Sequence, residues 1–169
     1  MKKIAILVEN KYQVLEVWYP YLFLKDEGFE VKFVGTGSSR EYFSKEGYPV
    51  KEEISIKNAN PDDFDAVVIP GGYAPDFLRR YEDVNKFVHE IFNKNKIVAS
   101  ICHGGWVLVS AKILKDRKAT CFFAIKDDII NAGAEYIDRE VVVDGKLITS
   151  RKPEDLPKFC KAIKEKLNM

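Results

Sequence analysis

The sequence lacks the features that mark nucleic-acid-binding, membrane and secreted proteins. Its 27 basic and 26 acidic side chains leave a net charge of +1, so no basic field favours nucleic acid or an anionic membrane. No apolar stretch approaches the ~20 residues that span a bilayer. The N-terminal apolar run ends at Glu9 without a small-residue cleavage site, which indicates a first strand rather than a signal peptide. We therefore expect a cytoplasmic protein with neither nucleic acid nor membrane as a partner.

Cysteine and histidine are scarce, and the common cofactor motifs are absent. The three cysteines are widely spaced and form no CxxC or Cys/His cluster, which disfavours both a metal site and a disulfide framework. No GxGxxG follows the first strand, and no GxxxxGK[ST] occurs, so dinucleotide and P-loop nucleotide binding are disfavoured. We expect no metal and no cofactor.

The apolar pattern predicts one α/β domain that spans residues 1–169. Strands are expected at 3–9, 30–34, 65–70, 96–101 and 118–122, with short strands within 48–56 and a hairpin of 141–143 with 147–149. Helices are expected at 13–27, 83–93, 103–111, 125–131 and 153–167, with a kink or restart at Pro20 and an Asn-capped turn at 60–63. This alternation predicts a three-layer sandwich, with a mostly parallel sheet and helices on both faces.

The segment from Ile97 to Trp106 contains the most informative pattern. An apolar, β-branched run ends at Cys102 and His103, and two glycines follow before helical spacing resumes. This places Cys102 at a strand-to-helix turn that resembles a nucleophile elbow. A helix N-terminus there would lower the thiol pKa. Because a free cysteine is also a common inert core residue, the local sequence leaves both interpretations open.

A second turn follows the strand that ends at Pro70. Gly71 and Gly72 come next, and glycines allow backbone N–H groups to approach a ligand closely. In parallel sheets, ligands bind beyond the carboxyl ends of the strands. We therefore expect this turn, Cys102 and the segment after Glu9 to face one another.

Taken together, these motifs resemble the DJ-1/PfpI superfamily, and most closely its intracellular protease I branch. The similarity runs nearly end to end, and the family fold is the flavodoxin-like sandwich. The matching motifs, in order, are YPY at 19–21, NPDDFDAVVIPGG at 60–72, AP at 74–75, VASICHG at 98–104, IKDDIINAG at 125–133, EVVVDG at 140–145 and TSRKPEDL at 149–156.

The resemblance implies a role for each matching residue. Cys102 would be the nucleophile, with His103 beside it as the candidate base. The backbone N–H groups of His103 and Gly72 would form an oxyanion hole, and Gly71 would shape the turn. Glu16 on the first helix would contact the sulfur, and we expect its carboxyl to be protonated, because two anions in a desolvated site repel each other.

Three positions depart from the protease branch. Asp76 replaces a glutamate that a neighbouring subunit supplies to orient the histidine, Phe122 replaces a tyrosine and so removes a hydroxyl, and Gln13 replaces another glutamate. These changes argue against proteolysis more than they argue against Cys102 as the nucleophile. Of the remaining candidates, His89 is expected on the surface, and Cys121 and Cys160 are expected to be packing residues.

Three functions remain open at this point. The first is a cofactor-independent, glyoxalase- or deglycase-like enzyme that attacks small reactive carbonyls through Cys102. The second is an intracellular cysteine peptidase acting on peptides, and the third is a redox sensor or stress chaperone that uses oxidation of Cys102. The resemblance also implies a homo-oligomer, either a dimer or a hexamer of dimer-type units.

Overall fold

Strands and helices alternate along the chain, as the sequence predicts. The computed structural model describes residues 1–169. The strands are β1 Lys3–Val8, β2 Glu30–Gly35, β3 Glu41–Phe43, β4 Pro49–Lys51, β5 Ile54–Ser55, β6 Ala66–Ile69, β7 Ile97–Ile101, β8 Lys118–Ala119, β9 Glu135–Tyr136, β10 Val141–Asp144 and β11 Leu147–Ser150. The helices are α1 Val14–Asp26, α2 Ala74–Leu78, α3 Glu82–Asn93, α4 Gly105–Ser110, α5 Lys126–Asn131 and α6 Leu156–Leu167.

Seven of the strands form one central sheet in the order β10-β11-β7-β6-β1-β2-β5. All neighbouring pairs are parallel except β10 with β11, which forms the predicted antiparallel hairpin. The chain crosses from β1 outwards to β2 and β5, and then returns to β6 and β7 on the other side. This reversal of direction at β1 and β6 creates the crevice in which ligands of such sheets bind.

Helices cover the sheet, and this explains why its central strands are apolar along their whole length. Every residue from Ile4 to Val8 and from Ala66 to Ile69 has 0% exposure. Helices α1 and α6 pack on each other, and α3 and α4 form a second layer with α2 and α5. The buried apolar side chains form one cluster of 47 residues. The predicted flavodoxin-like three-layer α/β sandwich is confirmed.

The structure differs from the sequence prediction at several short elements. The pattern missed β3, within a polar segment, and the two-residue β9. The strand predicted over 118–122 ends at Ala119, because the N–H of Thr120 donates to Thr149 Oγ1 and the N–H of Phe122 donates to the carbonyl of Cys102. Helix α1 does not restart at Pro20. A 3₁₀ turn occupies 102–104, so the following helix is shorter than predicted.

Backbone hydrogen bonds join the ends of β1 and β6, and the end of β7 lies against the same turn, since a Cβ on Gly71 would lie 2.7 Å from Cys102 Cβ. Tyr12 forms an isolated antiparallel bridge with Gly72. The N–H of Gln13 donates to the carbonyl of Gly71 at 3.2 Å, and the N–H of Tyr73 donates to the carbonyl of Lys11 at 2.8 Å. The expected convergence of these three strand ends is therefore present.

Candidate active site

Cys102 lies at a sharp turn directly after β7. Its φ of 61° is in the left-handed region, which is common for glycine but rare for L-residues other than asparagine and aspartate. The 3₁₀ turn and α4 follow at once. This is the geometry of a nucleophile elbow, where a strained residue presents its side chain at the end of a sheet strand. The sequence prediction of the elbow is confirmed.

His103 is directly beside the thiol. Its Nδ1 lies 3.2 Å from Cys102 Sγ, and its ring stacks on Phe122 with centroids 5.0 Å apart. The indole of Trp106 packs edge-on at 5.2 Å. Burial, and then the charge of Lys45, lowers the pKa of His103. A neutral imidazole in this position can accept the thiol proton, which an imidazolium cannot do.

Glu16 occupies the first turn of α1 and is fully buried. Its Oε1 accepts a 2.9 Å hydrogen bond from the N–H of Gly71, while Oε2 has no hydrogen-bond partner. Gln13 caps the helix, and its Oε1 accepts from the N–H of Glu16 at 2.9 Å. Burial raises the pKa of Glu16 to about 8, against the opposing hydrogen bond from Gly71. The expectation of a protonated carboxyl at neutral pH agrees with this direction.

The pKa of Cys102 corrects one sequence prediction. Burial, and then the nearby Glu16 carboxylate, raises the pKa of this thiol to about 12, whereas the helix argument predicts a lowered value. The side chain is only 8% exposed, and α4 has only six residues, so desolvation outweighs the helix dipole. The backbone N–H groups of His103 and Gly72 oppose the rise by hydrogen bonding to the sulfur. The resting group is therefore a thiol.

The two glycines after β6 are required by close contacts. A Cβ on Gly71 would lie 2.5 Å from Glu16 Oε1 and 2.7 Å from Cys102 Cβ. Gly72 has a φ of 78°, and a Cβ there would lie 2.5 Å from the carbonyl oxygen of Lys11. The turn thus brings the backbone against the sulfur, since a Cβ on Gly71 would lie 3.0 Å from Cys102 Sγ.

Lys45 acts on this site and was missed by the sequence reasoning. Its charge lowers the pKa of Glu16, Cys102 and His103. The backbone N–H of Lys45 donates to the carbonyl of Tyr12 at 2.9 Å, which ties its loop to the bridge with Gly72. Lys45 lies between β3 and β4 in a polar stretch, and no local pattern signals that this stretch folds back onto the site.

An aromatic row extends away from the site. The N–H of Phe122 donates to the carbonyl of Cys102 at 3.2 Å, and its ring lies between those of His103 and Phe123. Phe123 is 70% exposed. Trp106 donates from Nε1 to Asp128 Oδ2 at 2.8 Å. The sequence indicated Phe122 only; Phe123 and Trp106 had no distinguishing signal.

Asp76 lies in α2, and its carboxylate pairs with Arg80 at 2.7 Å within the same chain. Its expected action on the histidine of a neighbouring subunit remains a prediction. His89 is half-buried, and its Nδ1 lies 2.8 Å from the carbonyl oxygen of Ala111. Cys121 and Cys160 are 1% and 0% exposed, as expected of packing residues.

The structure contains neither a metal-binding cluster nor a membrane-spanning helix. No group of three or more His, Cys, Asp or Glu side chains is arranged to hold a metal ion. None of the helices is both long and apolar enough to cross a membrane.

The sheet topology, the elbow and the neighbouring carboxyl define a flavodoxin-like α/β protein with a cysteine at its strand-end crevice. The DJ-1/PfpI family model matches residues 2–166, and the chain belongs to this family. It is 46% identical over 154 residues to Deglycase PfpI of Pyrococcus furiosus, covering 91% of this chain and 92% of that protein. A deglycase of Pyrococcus horikoshii is 44% identical with the same coverage.

Solved structures agree with this assignment. The chain superposes on a two-domain protein of Anabaena variabilis, which contains DJ-1/ThiJ/PfpI-like and ferritin-like domains, with a TM-score of 0.97 and 43% identity. The match covers 99% of this chain and 48% of that one, so it spans about half of the two-domain protein. Schizosaccharomyces pombe DJ-1 matches with a TM-score of 0.89 at 23% identity, over 98% of this chain and 91% of that chain, which supports the fold.

Proposed function

We propose that the protein is a cofactor-independent enzyme that attacks small reactive carbonyl compounds through Cys102, in a glyoxalase- or deglycase-like reaction. One observation carries the proposal: Cys102 Sγ lies 3.2 Å from His103 Nδ1, at a turn where the backbone N–H groups of Gly72 and His103 favour the thiolate. A thiol, a base and anion-stabilising donors at one point are the requirements for addition to a carbonyl.

For methylglyoxal, the first step forms a bond between Sγ and the aldehyde carbon. His103 Nδ1 takes the thiol proton as the bond forms. The aldehyde oxygen becomes an oxyanion near the N–H groups of Gly72 and His103, and the imidazolium then returns the proton to it. The product of this step is a hemithioacetal on Cys102, and His103 is again neutral.

Glu16 is suited to the next proton transfers, because its pKa of about 8 allows exchange near neutral pH. In its ionised form it removes the hydrogen on C1 as a proton, which gives an enediolate with its negative charge on the C2 oxygen. The proton of the C1 hydroxyl then moves to the C2 oxygen. In its protonated form it then returns a proton to C2. The resulting lactoyl thioester reacts with water, which releases lactate and restores the thiol of Cys102.

Two features favour this reaction over peptide hydrolysis. Cys102 is only 8% exposed, which suits a small aldehyde better than an extended peptide, and Phe122 supplies no hydroxyl to assist an acyl transfer. The relatives named deglycases support the same choice.

The test measures lactate formed from methylglyoxal by the wild type, Cys102→Ser and Cys121→Ser. The proposal predicts turnover in the wild type and in Cys121→Ser, since Cys121 is a buried packing residue, and no turnover in Cys102→Ser. Equal rates in the wild type and Cys102→Ser would refute the proposal.

A further inference from the structure

We infer that Thr149 is a positioning residue that holds His103 in place beside Cys102, acting through the backbone segment 120–122. This inference rests on the proposed function, in which His103 is the base, and adds a residue that acts on this base from a distance. Thr149 lies on β11, and its hydroxyl bonds to neither Cys102 nor His103.

The sheet fixes Thr149 relative to the elbow. Strand β11 runs parallel to β7, and Thr149 lies opposite Ser100, two residues before Cys102. On its other side Thr149 is in register with Val142 of β10, whose carbonyl accepts a hydrogen bond from the Thr149 hydroxyl at 3.5 Å. Thr149 is only 1% exposed. Its oxygen is therefore held in a fixed position relative to the strand that carries the nucleophile.

Thr149 receives the segment 120–122 where it leaves the small β8–β9 ribbon. This ribbon ends with a hydrogen bond from the N–H of Ile137 to the carbonyl of Ala119 at 2.9 Å. The next N–H, that of Thr120, donates to Thr149 Oγ1 at 2.9 Å. Thr120 is 2% exposed, so its N–H would be buried and unpaired without this acceptor, which is unfavourable. Both threonines are buried by their own chain, so their burial does not depend on a neighbouring subunit.

Two residues further on, the segment contacts the elbow. The N–H of Phe122 donates to the carbonyl of Cys102 at 3.2 Å, and the Phe122 ring stacks on His103 with centroids 5.0 Å apart. The first contact holds the carbonyl of a residue whose φ of 61° is strained. The second fixes the plane of the imidazole, whose Nδ1 lies 3.2 Å from Sγ. Because Thr149 anchors the start of the segment at Thr120, it controls both contacts.

The test is the titration of His103 in the folded protein, which nuclear magnetic resonance follows without any turnover. The chain has two histidines, so His89 on α3 is an internal reference, and His89→Gln assigns the two signals. Thr149→Val removes the acceptor but keeps the β-branched shape that suits a strand. Thr149→Ser keeps the hydroxyl. Thr120→Val is the matched control, because the Thr120 hydroxyl has no hydrogen-bond partner and the backbone N–H is retained.

The expected result is a change in His103 that only Thr149→Val produces. Burial lowers the pKa of His103 below its ordinary value of 6.5. In Thr149→Val the imidazole loses part of its cover by Phe122, so its pKa should rise towards 6.5, while His89 titrates identically in all the proteins. Thr149→Ser and Thr120→Val should titrate as the wild type does. Iodoacetamide should modify Cys102 roughly three- to tenfold more slowly at pH 7 in Thr149→Val, since a displaced base takes the thiol proton less readily.

Two results overturn the inference. The first is a His103 titration that is the same in the wild type and Thr149→Val, even if the unfolding midpoint falls, because Thr149 then serves stability alone. The second is an equal shift in Thr120→Val. Circular dichroism checks that the variants fold, and Thr149→Ala, which also lacks the hydroxyl, repeats the test if Thr149→Val does not.

Turnover of methylglyoxal by the same proteins separates this inference from the proposed function. If the wild type converts no methylglyoxal, the proposed function fails, and the titration of His103 still shows whether Thr149 positions the imidazole. If the wild type converts it while the titration is insensitive to Thr149→Val, only the role of Thr149 is refuted.

Discussion

The carboxyl of Glu16 and the backbone of Gly71 are joined by a 2.9 Å hydrogen bond that links α1 to the turn after β6. One oxygen accepts this bond and the other has no partner, so the buried carboxyl has a proton that it can offer to the neighbouring Cys102 site. The same contact orients the turn and supplies the group that exchanges protons. Glu16 thus both holds the turn after β6 in place and takes part in proton transfer.

Replacing Glu16 by Gln should reduce lactate formation about 100-fold or more, because an amide keeps the shape but cannot remove a proton from C1. The rate of Cys102 alkylation at pH 8 should rise, since the carboxylate that raises the thiol pKa is gone. Steady-state kinetics and intact-mass alkylation measure the two effects. Glu165→Gln, an exposed change on α6, is the control. A variant that retained full turnover would exclude Glu16 from proton transfer.

The stability of the protein should depend on pH through the same residue. The pKa of Glu16 is raised from 4.5 to about 8 in the folded state. The protonated carboxyl therefore contributes its full share of the folding stability below pH 4.5, and this share is lost as the pH rises through 8. Between pH 5 and 9 the free energy of unfolding of the wild type should fall by on the order of a few kcal/mol relative to that of Glu16→Gln. Urea unfolding at each pH gives the two curves, and parallel curves would contradict the raised pKa.

Gly71→Ala should impair activity more than stability. The added Cβ would lie 2.5 Å from Glu16 Oε1 and 2.7 Å from Cys102 Cβ, so both side chains must move. We expect a loss of about 1–3 kcal/mol in unfolding free energy and of about 100-fold in kcat/KM. Gly145→Ala is the matched control, because its Cβ meets no atom but its φ of 60° imposes a strain of about 1–2 kcal/mol. The prediction is supported if the two variants unfold at similar midpoints but only Gly145→Ala is active. Equal activities of the two variants would contradict it.

The fold and the elbow could be predicted because their signals are local. The apolar run into Cys102 and the glycines after Pro70 are contiguous in sequence, and parallel strands place their ends together. Glu16 could be selected only through the family resemblance, since a glutamate on a helix is ordinarily exposed. The thiol pKa was predicted in the wrong direction, because burial depends on packing across the whole site. The loop of Lys45 reaches the site through a long-range hydrogen bond to Tyr12 that no local pattern contains.

Replacing Lys45 by Gln should make the thiol of Cys102 less reactive. The ammonium charge lowers the pKa of Cys102, so removing it raises that pKa and reduces the thiolate fraction at every pH below the midpoint. The Lys45 side chain is half-exposed, so its interaction with the thiolate should be worth roughly 0.5–1 kcal/mol. Iodoacetamide should therefore modify Cys102 about two- to fivefold more slowly in Lys45→Gln than in the wild type at pH 8. Lys45→Arg should retain the wild-type rate, and so should Lys51→Gln, an exposed change on β4. The slowing in Lys45→Gln should also shrink in high salt, as exposed charges are screened. A rate that is the same in all four proteins would show that Lys45 has no effect on the thiol.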